Sequence, residues 1–199
     1  MPRLFTAIEI PHDAALSLSL LRGGLPGARW IDTENYHLTL RFFGDIPGHV
    51  ADDIAAALDR VRRPSFQLHL SGTGVFGSKK PHTLWAGVAA SPDLVALQGE
   101  IERIGKRLGL AADPRKFAPH VTLARLRDVP AESVANWLSA RGNFSALPFT
   151  VSRFVLMSSR NSVGGGPYVI EESWPLSAQR SSSHASFATR SSEASRSVR

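Results

Sequence analysis

Residues 36–47 read YHLTLRFFGDIP and residues 119–130 read PHVTLARLRDVP. Each stretch places a His, skips one residue, writes Thr-Leu, and reaches Asp-Ile-Pro or Asp-Val-Pro after the same interval. The offset from His37 to His120 is 83 positions, and it also joins Thr39 to Thr122, Asp45 to Asp128, Pro47 to Pro130 and Phe66 to Phe149. Any two strands of one core would share apolar positions. Shared polar positions at a constant offset point instead to a structural duplication. The period is too long for a solenoid unit, so it implies two lobes. Upstream, LFTAIEI at residues 4–10 resembles LWAGVAA at residues 84–90 in position and pattern.

Hydrophobic periodicity gives each half the order strand, helix, strand, helix, strand. In the first half the strands are predicted at residues 4–10, 37–43 and 66–71. Between them lie an amphipathic stretch near 12–21 and a helix after Pro47 with Val50, Ile54, Leu58 and Val61 on one stripe. In the second half the strands are predicted at 83–89, 120–126 and 149–157, with a further strand at 168–174. Its helices are a stripe of Leu94, Leu97, Ile101, Ile104 and Leu108 and a segment at 130–140. The predicted fold class is α+β: two pseudo-symmetric lobes of antiparallel-rich sheet, flanked by helices, around a central cleft. Residues 1–177 make up this domain. Residues 178–199 are rich in Ser and Arg with one aromatic, too little apolar surface to offset the entropy of ordering, and are expected to be a disordered tail.

Half of the net charge of +6 lies in that tail, where Arg180, Arg190, Arg196 and Arg199 face Glu193 alone. The mildly basic body suits a polyanionic partner such as RNA without requiring one. The absence of cysteine excludes a disulfide framework and Cys-ligated metals. No apolar run is long enough for a membrane span, and MPRLFTAIEIPHD lacks the pattern of a secretory signal. A cytoplasmic monomer is the expectation.

On a strand, residues two apart face the same side. His37 and Thr39 therefore project one way and Leu38 and Leu40 the other; His120 and Thr122 oppose Val121 and Leu123 in the same manner. The apolar residues anchor each strand to the core. If the lobes are related by pseudo-symmetry, both polar pairs converge on one cleft. Two imidazoles with an ordinary pKa of about 6.5 form a complete acid–base set near neutral pH. Threonine hydroxyls donate hydrogen bonds without charge, which suits non-bridging phosphate oxygens. Strand alternation would also turn Arg41 toward the His face, as a phosphate contact.

These motifs carry a resemblance. HLTL with FFGDI, and FAPHVTLARL, resemble the two signatures of the two-histidine phosphoesterase superfamily, in particular the RNA 2′,3′-cyclic phosphodiesterases, or 2′-5′ RNA ligase-like proteins. FTAIEIP, GVFGSKKPHTLWAGV and the terminal SSR…Y segment extend it over nearly the whole body. The resemblance implies metal-free, cofactor-free hydrolysis of a terminal 2′,3′-cyclic phosphate to a 2′-phosphate, with RNA ends or cyclic nucleotides as substrate. It also implies His37 as proton donor, His120 as proton acceptor, and Thr39, Thr122 and Arg125 on the phosphate. Arg125 has the wrong strand parity for this unless a bulge intervenes. Alternatives are a relative acting on a small cyclic nucleotide or an ADP-ribose cyclic phosphate, one that ligates 2′-5′ ends, or a non-catalytic module that binds RNA ends.

Other signals are weaker. GTGVFG at residues 72–77 fits G-x-G-x-x-G, but SKKPHTLW follows where a nucleotide fold needs a helix. It reads as a loop shaping the cleft rim, with Lys79 and Lys80 as RNA contacts. Trp30, Tyr36, Phe76 and Trp85 are candidates for stacking on a base, Trp30 beside Arg29 the better one; Trp85, inside an apolar strand, reads rather as core. H-E-x-x-H is absent and no carboxylate accompanies either motif, so no metal site is expected.

Overall fold

The computed structural model describes residues 3–77, 79–112, 116–159 and 166–178. In chain order its elements are β1 (Arg3–Glu9), α1 (His12–Ser19), β2 (Ala28–Trp30), a 3-10 turn (Thr33–Asn35), β3 (His37–Asp45), α2 (Gly48–Leu58), β4 (Phe66–Leu68), β5 (Leu70–Phe76), β6 (Thr83–Val88) and α3 (Pro92–Arg107). Then follow β7 (His120–Leu126), α4 (Ala131–Arg141), β8 (Phe149–Val151), β9 (Arg153–Ser159) and β10 (Tyr168–Pro175). The fold is α+β, as the periodicity predicted. All but one residue of the expected tail lie outside the described residues.

The two half-units share one sheet, ordered β10-β9-β1-β3-β7-β6-β5, with β2 also paired to β7. They meet between the motif strands, where β3 and β7 share the single register pair Leu38 with Val121. Those two residues are themselves 83 positions apart, so the pseudo-twofold axis passes between them. It passes again between Gln67 and Thr150 of the small β4–β8 ribbon, whose side chains are joined by a 2.6 Å hydrogen bond.

The helices cover one face of the sheet. Apolar positions at helical spacing, such as Ile54 and Leu58 of α2 and Leu94, Leu97, Ile101 and Ile104 of α3, bury against Leu38, Leu40, Val121 and Leu123. Each such side chain taken out of water contributes roughly 2 kcal/mol. Ser91 caps α3 by accepting from the Leu94 N–H, with Pro92 in the first turn. The opposite face of the sheet carries a smaller apolar cluster of Phe5, Ala7, Val155 and Met157.

Three expectations are corrected here. The segment read as one strand at 149–157 is two, β8 and β9, in different sheets, and the one at 66–71 divides between β4 and β5 in the same way. GTGVFG is not a loop: all of it but Gly77 belongs to β5, and Gly74 is flat against the Trp85 indole, which leaves no room for a Cβ. Finally, β5 and β9 (offset 83) do not close their own halves. Each crosses the axis, β5 to pair with β6 and β9 to pair with β1. A period-2 pattern identifies a strand but not the strand it joins.

Candidate active site

Both motif strands break their alternation at the same place. The register of β1 against β3 runs from Ala7–Thr39 to Thr6–Arg41 and skips Leu40; that of β6 against β7 runs from Trp85–Thr122 to Leu84–Ala124 and skips Leu123. Leu40 and Leu123 are again 83 apart. A bulge adds one residue to one strand, so the side chains that follow it change face. His37, Thr39, His120 and Thr122 precede the bulge and lie half-buried on the face away from the helices, as alternation predicts.

Beyond the bulge the expectations exchange. Arg41 is turned into the protein: its side chain is 1% exposed and its Nη1 lies 2.7 Å from the Glu102 carboxylate. It also donates to the carbonyl oxygens of Glu102 and Ala111. Its guanidinium fills the space a Cβ at Gly105 would occupy. The reading of Arg41 as a phosphate contact is therefore corrected. Arg125, whose parity was wrong for a regular strand, is brought by the bulge to the histidine face, exposed, with Nη1 donating to Thr83 Oγ1 at 2.8 Å.

The histidines are seated alike. His37 Nδ1 bonds the carbonyl oxygen of Asn35 at 2.8 Å, and His120 Nδ1 bonds that of Ala118 at 2.7 Å. A carbonyl only accepts, so Nδ1 carries the proton in both rings and Nε2 holds the lone pair of the neutral form. Each ring also meets an aromatic edge: Tyr168 at 4.8 Å from His37, Phe76 at 4.9 Å from His120. Phe5 lies 5.1 Å from His37 and Trp85 6.4 Å from His120. Trp85 thus stands on the cleft face opposite Thr122, not in the core as its apolar strand suggested. Burial lowers the His37 pKa to about 4, against the bond to Asn35, and the charges of His120 and Arg125 push it further down. The two motifs therefore sense one another across the axis.

The remaining expected residues are distributed differently. Trp30 pairs with Ala124, a core-facing position, and packs on Trp137 of α4 at 5.9 Å, so it is not a cleft residue. Arg29, its neighbour, is directly opposite Arg125 and takes the cleft face. Lys79 and Lys80 are exposed in the turn between β5 and β6. Phe5, Tyr168 and Arg29 at the site were not anticipated. The first two stand on strands that reach His37 only through sheet pairing, and the signal for Arg29 lay one residue from where it was sought. Among the described residues, no three His, Asp or Glu side chains are grouped as a metal site. No helix there is long and apolar enough to cross a membrane.

The chain resembles known proteins over this same region. The family model of the 2′-5′ RNA ligase superfamily matches residues 26–162. An RNA 2′,3′-cyclic phosphodiesterase of Aeropyrum pernix is 36% identical over 123 residues, 59% of this chain and 69% of the relative. One from Thermotoga maritima is 31% identical over 178 residues, 84% of this chain and 92% of the relative. Among solved structures, Escherichia coli LigT complexed with 3′-AMP superposes with a TM-score of 0.72 at 25% identity, covering 88% of this chain and 99% of that one. The matched family segment runs from β2 through β9 and contains both motif strands with their bulges, and the chain belongs to the 2′-5′ RNA ligase superfamily.

Proposed function

We propose that this protein hydrolyses the terminal 2′,3′-cyclic phosphate of RNA to a 2′-phosphate by paired-histidine acid–base catalysis. The observation that carries the reading is the duplicated seat of the two imidazoles, each with Nδ1 on a carbonyl oxygen two residues back and each followed by a threonine on the same face. That seat fixes the ring and reserves Nε2 for proton transfer, the arrangement needed for one base and one acid on opposite sides of a phosphorus centre. Relatives named RNA 2′,3′-cyclic phosphodiesterase, at 36% and 31% identity, support the substrate class.

In the reaction, His120 takes a proton from water as it attacks phosphorus, and His37 gives a proton to the 3′ oxygen as the P–O3′ bond breaks. The ring opens and the phosphate remains on O2′. Thr39 and Thr122 donate to the non-bridging oxygens, and Arg125 adds positive charge against them. In the free protein His37 is neutral at pH 7, since its pKa is lowered to about 4. Its donor role therefore requires the bound phosphate, a negative charge at the imidazole, to raise that pKa. One observation favours the reverse assignment: a neutral, half-buried His37 has the form of a general base before substrate arrives.

Phosphorus NMR of the full chain with a 2′,3′-cyclic nucleotide tests the function. The expected result is conversion to the 2′-phosphate isomer; binding without turnover would establish the RNA-end binding module instead, and a 3′-phosphate product would overturn the assigned bond cleavage.

A further inference from the structure

β2 pairs with β7 in the register Ala28–Leu126, Arg29–Arg125, Trp30–Ala124. Residues directly opposite in an antiparallel pair project to the same face, with Cβ atoms about 5 Å apart, and like charges placed so repel. Leu126 and Ala124 are buried on the helix side, which leaves Arg29 and Arg125 together on the cleft side, both exposed. Among the described residues, neither has a carboxylate partner; Arg125 is bonded to the Thr83 hydroxyl, and the described ion pairs involve other arginines. Two adjacent guanidiniums with no described carboxylate between them suit an anion that is not part of the chain.

The pair is placed along the path of a chain leaving the histidines. Arg125 lies three residues beyond Thr122 on the same strand, roughly 10 Å at the usual strand rise. It is close enough for its charge to reach His37. Among the described residues, the equivalent positions of the other half hold no such pair. At the offset of 83, Phe42 stands where Arg125 does and Ala112 where Arg29 does.

We propose that Arg29, acting with Arg125, binds the internucleotide phosphate immediately 5′ of the terminal cyclic phosphate, so that the site prefers an oligonucleotide to a cyclic mononucleotide and the RNA leaves over the second half. This rests on the function proposed above and names its substrate as a chain. Arg29 positions substrate; it takes no part in the proton transfers.

The test compares a dinucleotide ending in a 2′,3′-cyclic phosphate with the corresponding cyclic mononucleotide. Arg29→Gln should lower kcat/KM on the dinucleotide about tenfold more than on the mononucleotide, through KM, as expected for loss of one charge-assisted bond. An uncharged methylphosphonate in place of the internucleotide phosphate should cost the wild-type protein a similar factor and make Arg29→Gln nearly silent. The proposal is overturned if the methylphosphonate dinucleotide is turned over as well as the natural one, or if Arg29→Gln lowers both substrates equally while the methylphosphonate has no effect. Wild-type protein that turns over neither substrate would refute the phosphodiesterase reading itself, and this proposal with it.

Discussion

The two motif strands have nearly the same backbone and different surroundings. Each holds its histidine by Nδ1 on a carbonyl and bulges after Thr-Leu. The residue reaching the cleft beyond the bulge is Phe42 in one and Arg125 in the other. The residue paired with the threonine is Ala7 in one and Trp85 in the other. Opposite His37 stands Glu9, held by Arg153 at 2.8 Å, whereas opposite His120 stands Gly87. The lesson is chemical. A symmetric scaffold supplies two equivalent imidazoles, yet one turnover needs an acid and a base, and the side chains around a common backbone make them unequal.

The largest expected effect tests that inequality. His37→Ala and His120→Ala should each slow hydrolysis on the order of 10²–10⁴-fold. The double variant should be little worse than either single one, because the pair acts as a unit. On a nitrophenyl phosphodiester, whose leaving group needs no proton, His37→Ala should recover much of its rate and His120→Ala should not. Rescue of His120→Ala instead would exchange the two roles; no loss in either variant would reduce both motifs to scaffold.

Arg41 and Ala124 occupy matching positions, and only the former carries a buried charge. Arg41→Met should destabilise the protein by about 3 kcal/mol in denaturant unfolding, because it leaves the Glu102 carboxylate without its partner. Adding Glu102→Gln should return part of that loss. If Arg41→Met is neutral, the difference between the two strands at this position has no energetic weight.

A smaller effect concerns pH. His37 has a folded pKa of about 4, below the unfolded value of about 6.5, so between these values the unfolded chain binds the extra proton. Stability should therefore fall as pH is lowered through that window, and His37→Gln should flatten the slope. NMR titration sharpens the comparison further. Arg125→Gln removes a cation that lowers the His37 pKa and should move its titration upward; Phe42→Arg, which gives the first copy the charge of the second, should move it downward. The smallest effect is none at all: activity should persist in excess EDTA, and loss restored by a divalent ion would show that the two copies do not suffice.

Much of this was legible in the residues. The offset of 83, the motif strands and the α+β order follow from polar identities and apolar spacing, which are local properties. The places of Arg41 and Arg125 were not, because a bulge is set by how a neighbouring strand's hydrogen bonds fall into register. The same holds for Trp30 and Trp85: which face each takes depends on the strand it pairs with. The likeness of 4–10 to 84–90 also shifts by two on pairing, since Ala7 rather than Phe5 matches Trp85 opposite the threonine.

The crossing of β5 and β9 has a consequence for how the molecule comes apart. The strand that extends each half beyond β1 or β6 belongs to the other repeat, and the repeats meet again where β4 lies against β8. Neither repeat by itself contains the neighbours that complete its own sheet. Loosening one half strips a strand from the other, so the duplicated units form one cooperative block and should melt in a single transition. Two fragments cut in the turn between β5 and β6 would then be structured only in each other's presence, and the two histidines would be acquired or lost together.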